Sequence, residues 1–263
     1  MKDNLFADLN AKVALITGAG DGLGAYYAKI LADYGVNVII TGRSSSSTKL
    51  DKVVNEIISS GNKASKFILD MLDVASFDDS IAEIYKKYGS IDILINNAAI
   101  SNDKALFEIS TCDWDIGINT NLKGLFFLTQ AVAKQMKNQP NGGSIINIGA
   151  INGQMVRKNT VVFGTSKAGV IHLTKLLAYE LIQYKIRVNC LSLGLIESNQ
   201  AITDFLNKDD QALAYLEQIP AKVAGKFEDL KGPILLLSSN ASSYMYGSVI
   251  NVDGGFSINT LIK

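Results

Sequence analysis

The chain has 263 residues, 25 of them basic and 25 acidic, so its formal net charge is zero. That balance argues against nucleic acid or another polyanion as a partner. Its length fits one large α/β domain or two small ones; 48% hydrophobic residues and 22 glycines suit a packed core, the absence of a linker or composition break favours one domain over 1–263, and two cysteines in no metal-binding or Cys-x-x-Cys spacing suit a reducing compartment.

The first residues, MKDNLFADLNAK, lack the apolar core of a signal peptide, and no apolar run reaches the length of a membrane span. A cytoplasmic protein without a membrane partner is therefore expected. VALIT (13–17) is a short run rich in branched residues, which suits a strand buried on both faces. GLGAYYAKILADYG (22–35) follows with helical spacing, then a second strand over 36–42 and a helix over 48–62 that ends at Gly61. The alternation continues with strands at 66–72, 91–99, 143–149, 186–194 and 247–255. Helices are expected at 76–89, at 114–139 with one glycine-bearing interruption, and at 160–184. The segment 195–240 carries no strand signal and reads as mostly helical. Repeated β-α units imply a doubly wound, Rossmann-like sheet of seven parallel strands with helices on both faces.

TGAGDGLG (17–24) falls between the first strand and the first helix. Glycine lets the backbone turn tightly and approach a pyrophosphate, and the helix start offers unpaired N–H groups. Gly18, Gly20, Asp21, Gly22, Leu23 and Gly24 are thus candidate cofactor residues. The second strand ends in Thr41-Gly42-Arg43-Ser44, with no acid to bond both ribose hydroxyls of NAD. Arg43, with Ser44 beside it, suits a 2′-phosphate, which favours NADP(H) over NAD(H). The bland alternative is a solvated surface arginine.

Taken together, these motifs resemble the classical short-chain dehydrogenase/reductase family over essentially the whole chain, nearest to its 3-oxoacyl reductases, the rhamnolipid-pathway type included. TGAGDGLG is similar to the family's TGxxxGxG, and VDGG (252–255) to its terminal VDGG. Asp70-Met71 resembles the pair that contacts adenine. NNAA (96–99), with Asn97 and Ala98, resembles NNAG, with Ala99 for the glycine. VNCLSLG (188–194) resembles VNxxxPG, with Leu193 for the proline, and places Gly194 and Ile196 at the cofactor. The resemblance also implies a homotetramer built on the two long helices.

In that family a tyrosine gives a proton to the substrate oxygen. A lysine four residues on holds the nicotinamide ribose, a serine bonds the carbonyl, and an asparagine supports a proton-relay water. Here the resemblance gives Lys167 and Asn121, but Phe163 stands at the tyrosine position and Ala150 at the serine position. Each loses one oxygen without gaining bulk, so packing should survive while carbonyl reduction slows greatly.

No substitute acid is evident in the sequence. His172 falls on roughly the opposite helix face from Phe163, and Tyr179 lies several turns away. Thr165 and Ser166 point off the 163/167 stripe. Asn152 and Gln154 could line a pocket, but amides are poor acids. Tyr244 and Tyr246 suit packing.

Three readings stay open. One is an NADPH-binding reductase scaffold for a small carbonyl substrate, impaired either as a natural pseudoenzyme or as a chain altered to trap a complex. Another is an active oxidoreductase with a different donor or an imine-type substrate. The third is a regulatory or assembly subunit. The apolar residues at about 195–216 suit a lid over an apolar substrate pocket or, equally, simple core packing, with Arg157 and Lys158 available to an acidic carrier.

Overall fold

A computed structural model describes residues 5–101, 103–198, 206 and 209–258. Its strands are β1 (Val13–Thr17), β2 (Asn37–Gly42), β3 (Ala64–Ile68), β4 (Ile93–Asn96), β5 (Gly143–Ala150), β6 (Ile186–Leu193) and β7 (Val249–Val252). They form one seven-stranded sheet in the order β3-β2-β1-β4-β5-β6-β7, every pairing parallel. The expected Rossmann-like architecture is what the residues build.

Successive strand side chains point to opposite faces, so each central strand feeds two cores. Ile16, Ile40 and Ile95 pack on one face against α1 (Gly22–Asp33), α2 (Ser47–Ser59) and α8 (Lys231–Ser238). Leu15, Ile39 and Leu94 pack on the other against α3 (Phe77–Tyr88), α5 (Leu125–Met136) and α6 (Val161–Leu181). β1 and β6 are buried along their whole length, whereas the edge strands β3 and β7 are only partly so.

Several boundaries differ from the sequence reading. β3 leaves the sheet at Ile68, not residue 72, because Asp70 turns the chain by accepting the Leu72 N–H at 3.0 Å. β4 stops at Asn96, because the Asn97 N–H is taken by the Thr17 hydroxyl. β7 stops at Val252, where Asp253 accepts the Gly255 N–H.

The helix expected at 114–139 runs instead from α4 (Thr111–Ile118) through a π-helical turn (Asn119–Gly124) into α5. It starts early because Ser110 and Asp113 form a capping box. The segment 195–240 is helical over much of its described length. Among the described residues it holds α7 (Asp209–Leu216), a 3₁₀ turn (Phe227–Leu230) and α8, and Ile196 makes a parallel bridge with Gly225. Of the expected lid, residues 199–205 and 207–208 lie outside the described residues.

Candidate functional site

A cleft of about 1130 Å³ opens along the carboxyl ends of the strands. Residues at or just past the end of each strand from β1 to β6 line its wall: Thr17, Gly42, Leu69, Asn97, Ala150 and Gly194. It lies where the connections after β1 and β4 part to opposite faces, the location at which open α/β sheets take ligands.

The loop after β1 forms one side. Gly18 has φ +62°, and a Cβ there would lie 2.8 Å from the Ala98 Cα. Only glycine meets both demands without strain. Asn97 holds this loop from across the sheet, its amide donating to the Thr17 and Gly18 carbonyls at 3.0 Å each. Gly20, Asp21, Gly22 and Leu23 line the cleft, together with Arg43, Asp70, Met71, Ala98 and Ile196.

Three of the expected site residues do not line the cleft. Gly24 is not in the wall; a Cβ there would meet the Gly18 carbonyl at 2.5 Å, so it serves close packing of α1 under the loop. Ser44 is exposed and outside the wall, whereas Ser46 lines the cleft. Asn121 is buried outside the wall. Its amide donates to the Ile100 carbonyl at 2.9 Å and the Ser166 hydroxyl at 3.0 Å, and its oxygen accepts the Ile100 N–H. Asn121 thereby ties the strand-end loop to α6, and Ser166 is its partner rather than a bystander.

At the other end of the cleft stand Ala150, Asn152, Phe163 and Lys167, with Thr120 from the π-helical turn. Ala150 is the last residue of β5, and Phe163 lies in the first turn of α6. Lys167, one turn on, places its ammonium 5.7 Å from the Phe163 ring centroid and donates to the Ile148 carbonyl at 2.7 Å. Leu193 remains paired within β6, opposite Val252, and Ala99 does not take the left-handed backbone that would call for glycine.

Among the described residues that line the cleft there is no tyrosine or histidine, and the two acids, Asp21 and Asp70, follow β1 and β3. His172, Tyr179 and Tyr244 are exposed. Tyr246 packs against the core on the α3, α5 and α6 face, and Gln154 bonds Ser192 and Asn251 instead of facing the cleft. Arg157, expected to be available to a carrier, is paired with Asp103 and bonded to the Tyr215 phenol on α7. Lys49 lines the cleft as well and was not singled out from the sequence.

Burial pushes the Lys167 ammonium from its ordinary 10.5 down to about 8, against a small opposing pull from the neighbouring Cys190. The unfolded chain keeps this proton up to about 10.5, so Lys167 penalises folding at pH 7 and does so less as pH rises above about 8. Burial also raises the Cys190 thiol from 9.0 to about 11, which favours folding less as pH rises above about 9. The window between 8 and 9 therefore isolates the lysine. A Lys167→Met variant should gain more over the parent at pH 7 than at pH 9, by on the order of 1 kcal/mol. Paired melts at the two pH values check this; an unchanged difference would mean that the buried amine is not depressed.

The family model described as Enoyl-(Acyl carrier protein) reductase matches residues 18–257. The chain is 38% identical over 250 residues to a 3-oxoacyl-acyl-carrier-protein reductase of Thermotoga maritima, covering 95% of this chain and 99% of the other. It is 36% identical over 253 residues to a gluconate 5-dehydrogenase of Gluconobacter oxydans, covering 95% and 96%. A crystal structure of a gluconate 5-dehydrogenase from Burkholderia cenocepacia in complex with NADP and tartrate superposes with a TM-score of 0.89 at 29% identity, covering 97% of this chain and 99% of that one.

Proposed function

The chain belongs to the short-chain dehydrogenase/reductase family of oxidoreductases, and from that premise we propose that it is an NADP(H)-binding scaffold for a small carbonyl substrate whose reduction is impaired. The observation that carries this reading is the pairing, in one cleft, of an intact glycine cradle with Phe163 and Ala150 beside Lys167.

The cleft fits a dinucleotide. A Cβ on Gly18 would strike Ala98, so the loop after β1 keeps its shape only with glycine there, and the cleft spans the sheet from Arg43 to Phe163. The N–H groups after β1 would hold the pyrophosphate, and Asp70 and Met71 would flank the adenine. Lys167 would hold the nicotinamide ribose, since its ammonium has three donors and the Ile148 carbonyl uses one. NADPH, when bound, supplies hydride. The residues around the carbonyl oxygen then decide the outcome. Ala150 offers that oxygen no hydrogen bond, and Phe163 offers it no proton. Asn152 and Thr120 can orient a substrate but are weak acids.

Arg43 is the residue we assign to the 2′-phosphate. It is exposed at the cleft, with no acid following β2. Arg43→Ala should weaken NADPH by roughly tenfold or more, as loss of a charge-assisted bidentate contact does, and leave NADH nearly unchanged. Calorimetric titration with both cofactors tests this. Equal losses for the two would remove Arg43 from the phosphate.

We also infer a single domain, a cytoplasmic location and a homotetramer. Leu176, Tyr179 and Ile182 lie exposed on and just after α6, and Trp114 and Phe127 on α4 and α5, which supports assembly through these helices. Among the described residues no helix is long and apolar enough to cross a membrane.

A further inference from the structure

We propose that Lys49, hydrogen-bonded to Asp21 across the mouth of the cleft, is a second cofactor-selectivity residue beside Arg43. This rests on the NADP(H) reading above. Lys49 Nζ lies 2.7 Å from Asp21 Oδ2, and both residues line the cleft with Arg43 and Ser46. Its stem crosses the glycine loop: a Cβ on Gly20 would lie 3.3 Å from the Lys49 Cβ.

The argument is one of charge. Asp21 places a carboxylate in the very loop that must accept a phosphorylated ligand. Arg43 alone would only cancel it, and Asp70 beside the adenine site adds a second carboxylate. With Lys49 the two cations balance the two acids that line this end of the cleft, which would otherwise be net negative. A ribose 2′-phosphate brings a charge of about −1.5 to −2, whereas the 2′-hydroxyl of NAD brings none. Lys49 therefore acts on the difference between the two cofactors, through the sign of the field, more than on their common parts.

A purely structural role explains the pair less well. Lys49 and Asp21 side chains are 65% and 70% exposed, and ion pairs so exposed add little to stability. The contact with Asp21 holds the lysine pKa above its ordinary value, so the ammonium is fully charged at neutral pH. Arg43 and Ser46 enter the cleft from the segment after β2, and Lys49 from the first turn of α2, so Lys49 is the element that joins this segment to the loop after β1.

The test uses two nucleotides that differ only in the 2′-phosphate, 2′,5′-ADP and 5′-AMP, titrated calorimetrically into the full chain. Lys49→Met should lower the affinity ratio of 2′,5′-ADP over 5′-AMP by threefold or more, and Asp21→Asn should raise it. The Lys49→Met effect should shrink at high salt, as expected for exposed charges. Thermal melts of both variants should match the parent, since both sites are exposed. If the parent binds the two nucleotides equally, the NADP(H) reading fails and the role of Lys49 with it. If the parent prefers 2′,5′-ADP and Lys49→Met changes the ratio less than threefold, Lys49 alone is overturned and selectivity belongs to Arg43.

Discussion

The double variant Ala150→Ser/Phe163→Tyr is expected to reduce ketones at least about 10² faster than the parent chain. The two positions already face the same cleft as Lys167, and each change adds one oxygen to a site that tolerates its carbon frame. The lysine ammonium sits 5.7 Å from the Phe163 ring centroid, close enough to lower the pKa of a phenol placed on that ring. Phe163→Tyr alone should matter more than Ala150→Ser alone, because without an acid the product alkoxide has no proton to take. The gains need not multiply, since the groups act as a unit. Steady-state kcat for the parent, both single variants and the pair settles the order. A pair no faster than the parent, with NADPH still bound, would favour an assembly or sensing role.

The largest loss is expected from Gly18→Ala. A left-handed backbone costs an alanine about 1–2 kcal/mol, and forcing a Cβ to 2.8 Å from the Ala98 Cα adds roughly 1–3 kcal/mol. The loop must move to relieve the contact, so NADPH affinity should collapse along with several degrees of Tm. Gly61→Ala is the control. Gly61 has φ +83°, yet a Cβ there meets nothing within 4 Å, and the residue follows α2 away from the cleft. That variant should carry only the backbone cost and bind NADPH normally. Similar binding losses in the two variants would mean that Gly18 matters for folding alone.

How much of this was legible in the sequence depended on whether the cause was local. VALIT followed by TGAGDGLG is a strand, a tight turn and a helix start written in consecutive residues, and the structure keeps all three. The Phe163–Lys167 spacing is one helical turn, so their shared face was readable too. What was missed depends on distant partners. β4 ends early because Thr17, far away in the chain, takes the N–H of Asn97. The tie of Asn121 to Ile100 and Ser166 joins residues far apart in the chain. Lys49 read as an ordinary charge near the start of a helix, and only the fold brings it to Asp21. Its place six residues after Arg43, near the start of α2, was the one signal available. The π-helical turn at Asn119–Gly124 had a glycine as its only mark; there a Cβ on Gly124 would meet the Met71 carbonyl at 2.3 Å.

The central claim is that this cleft holds NADPH without the means to protonate a reduced carbonyl. The most direct measurement pairs two readings on one preparation of the parent chain: calorimetric binding of NADPH, and NADPH oxidation with a panel of ketones and 3-oxoacyl thioesters. The account predicts clear binding, tighter than that of NADH, with oxidation no faster than without substrate. Rapid oxidation with any ketone or thioester of the panel would contradict it and place a proton donor that Phe163, Ala150 and the described lining of the cleft do not supply.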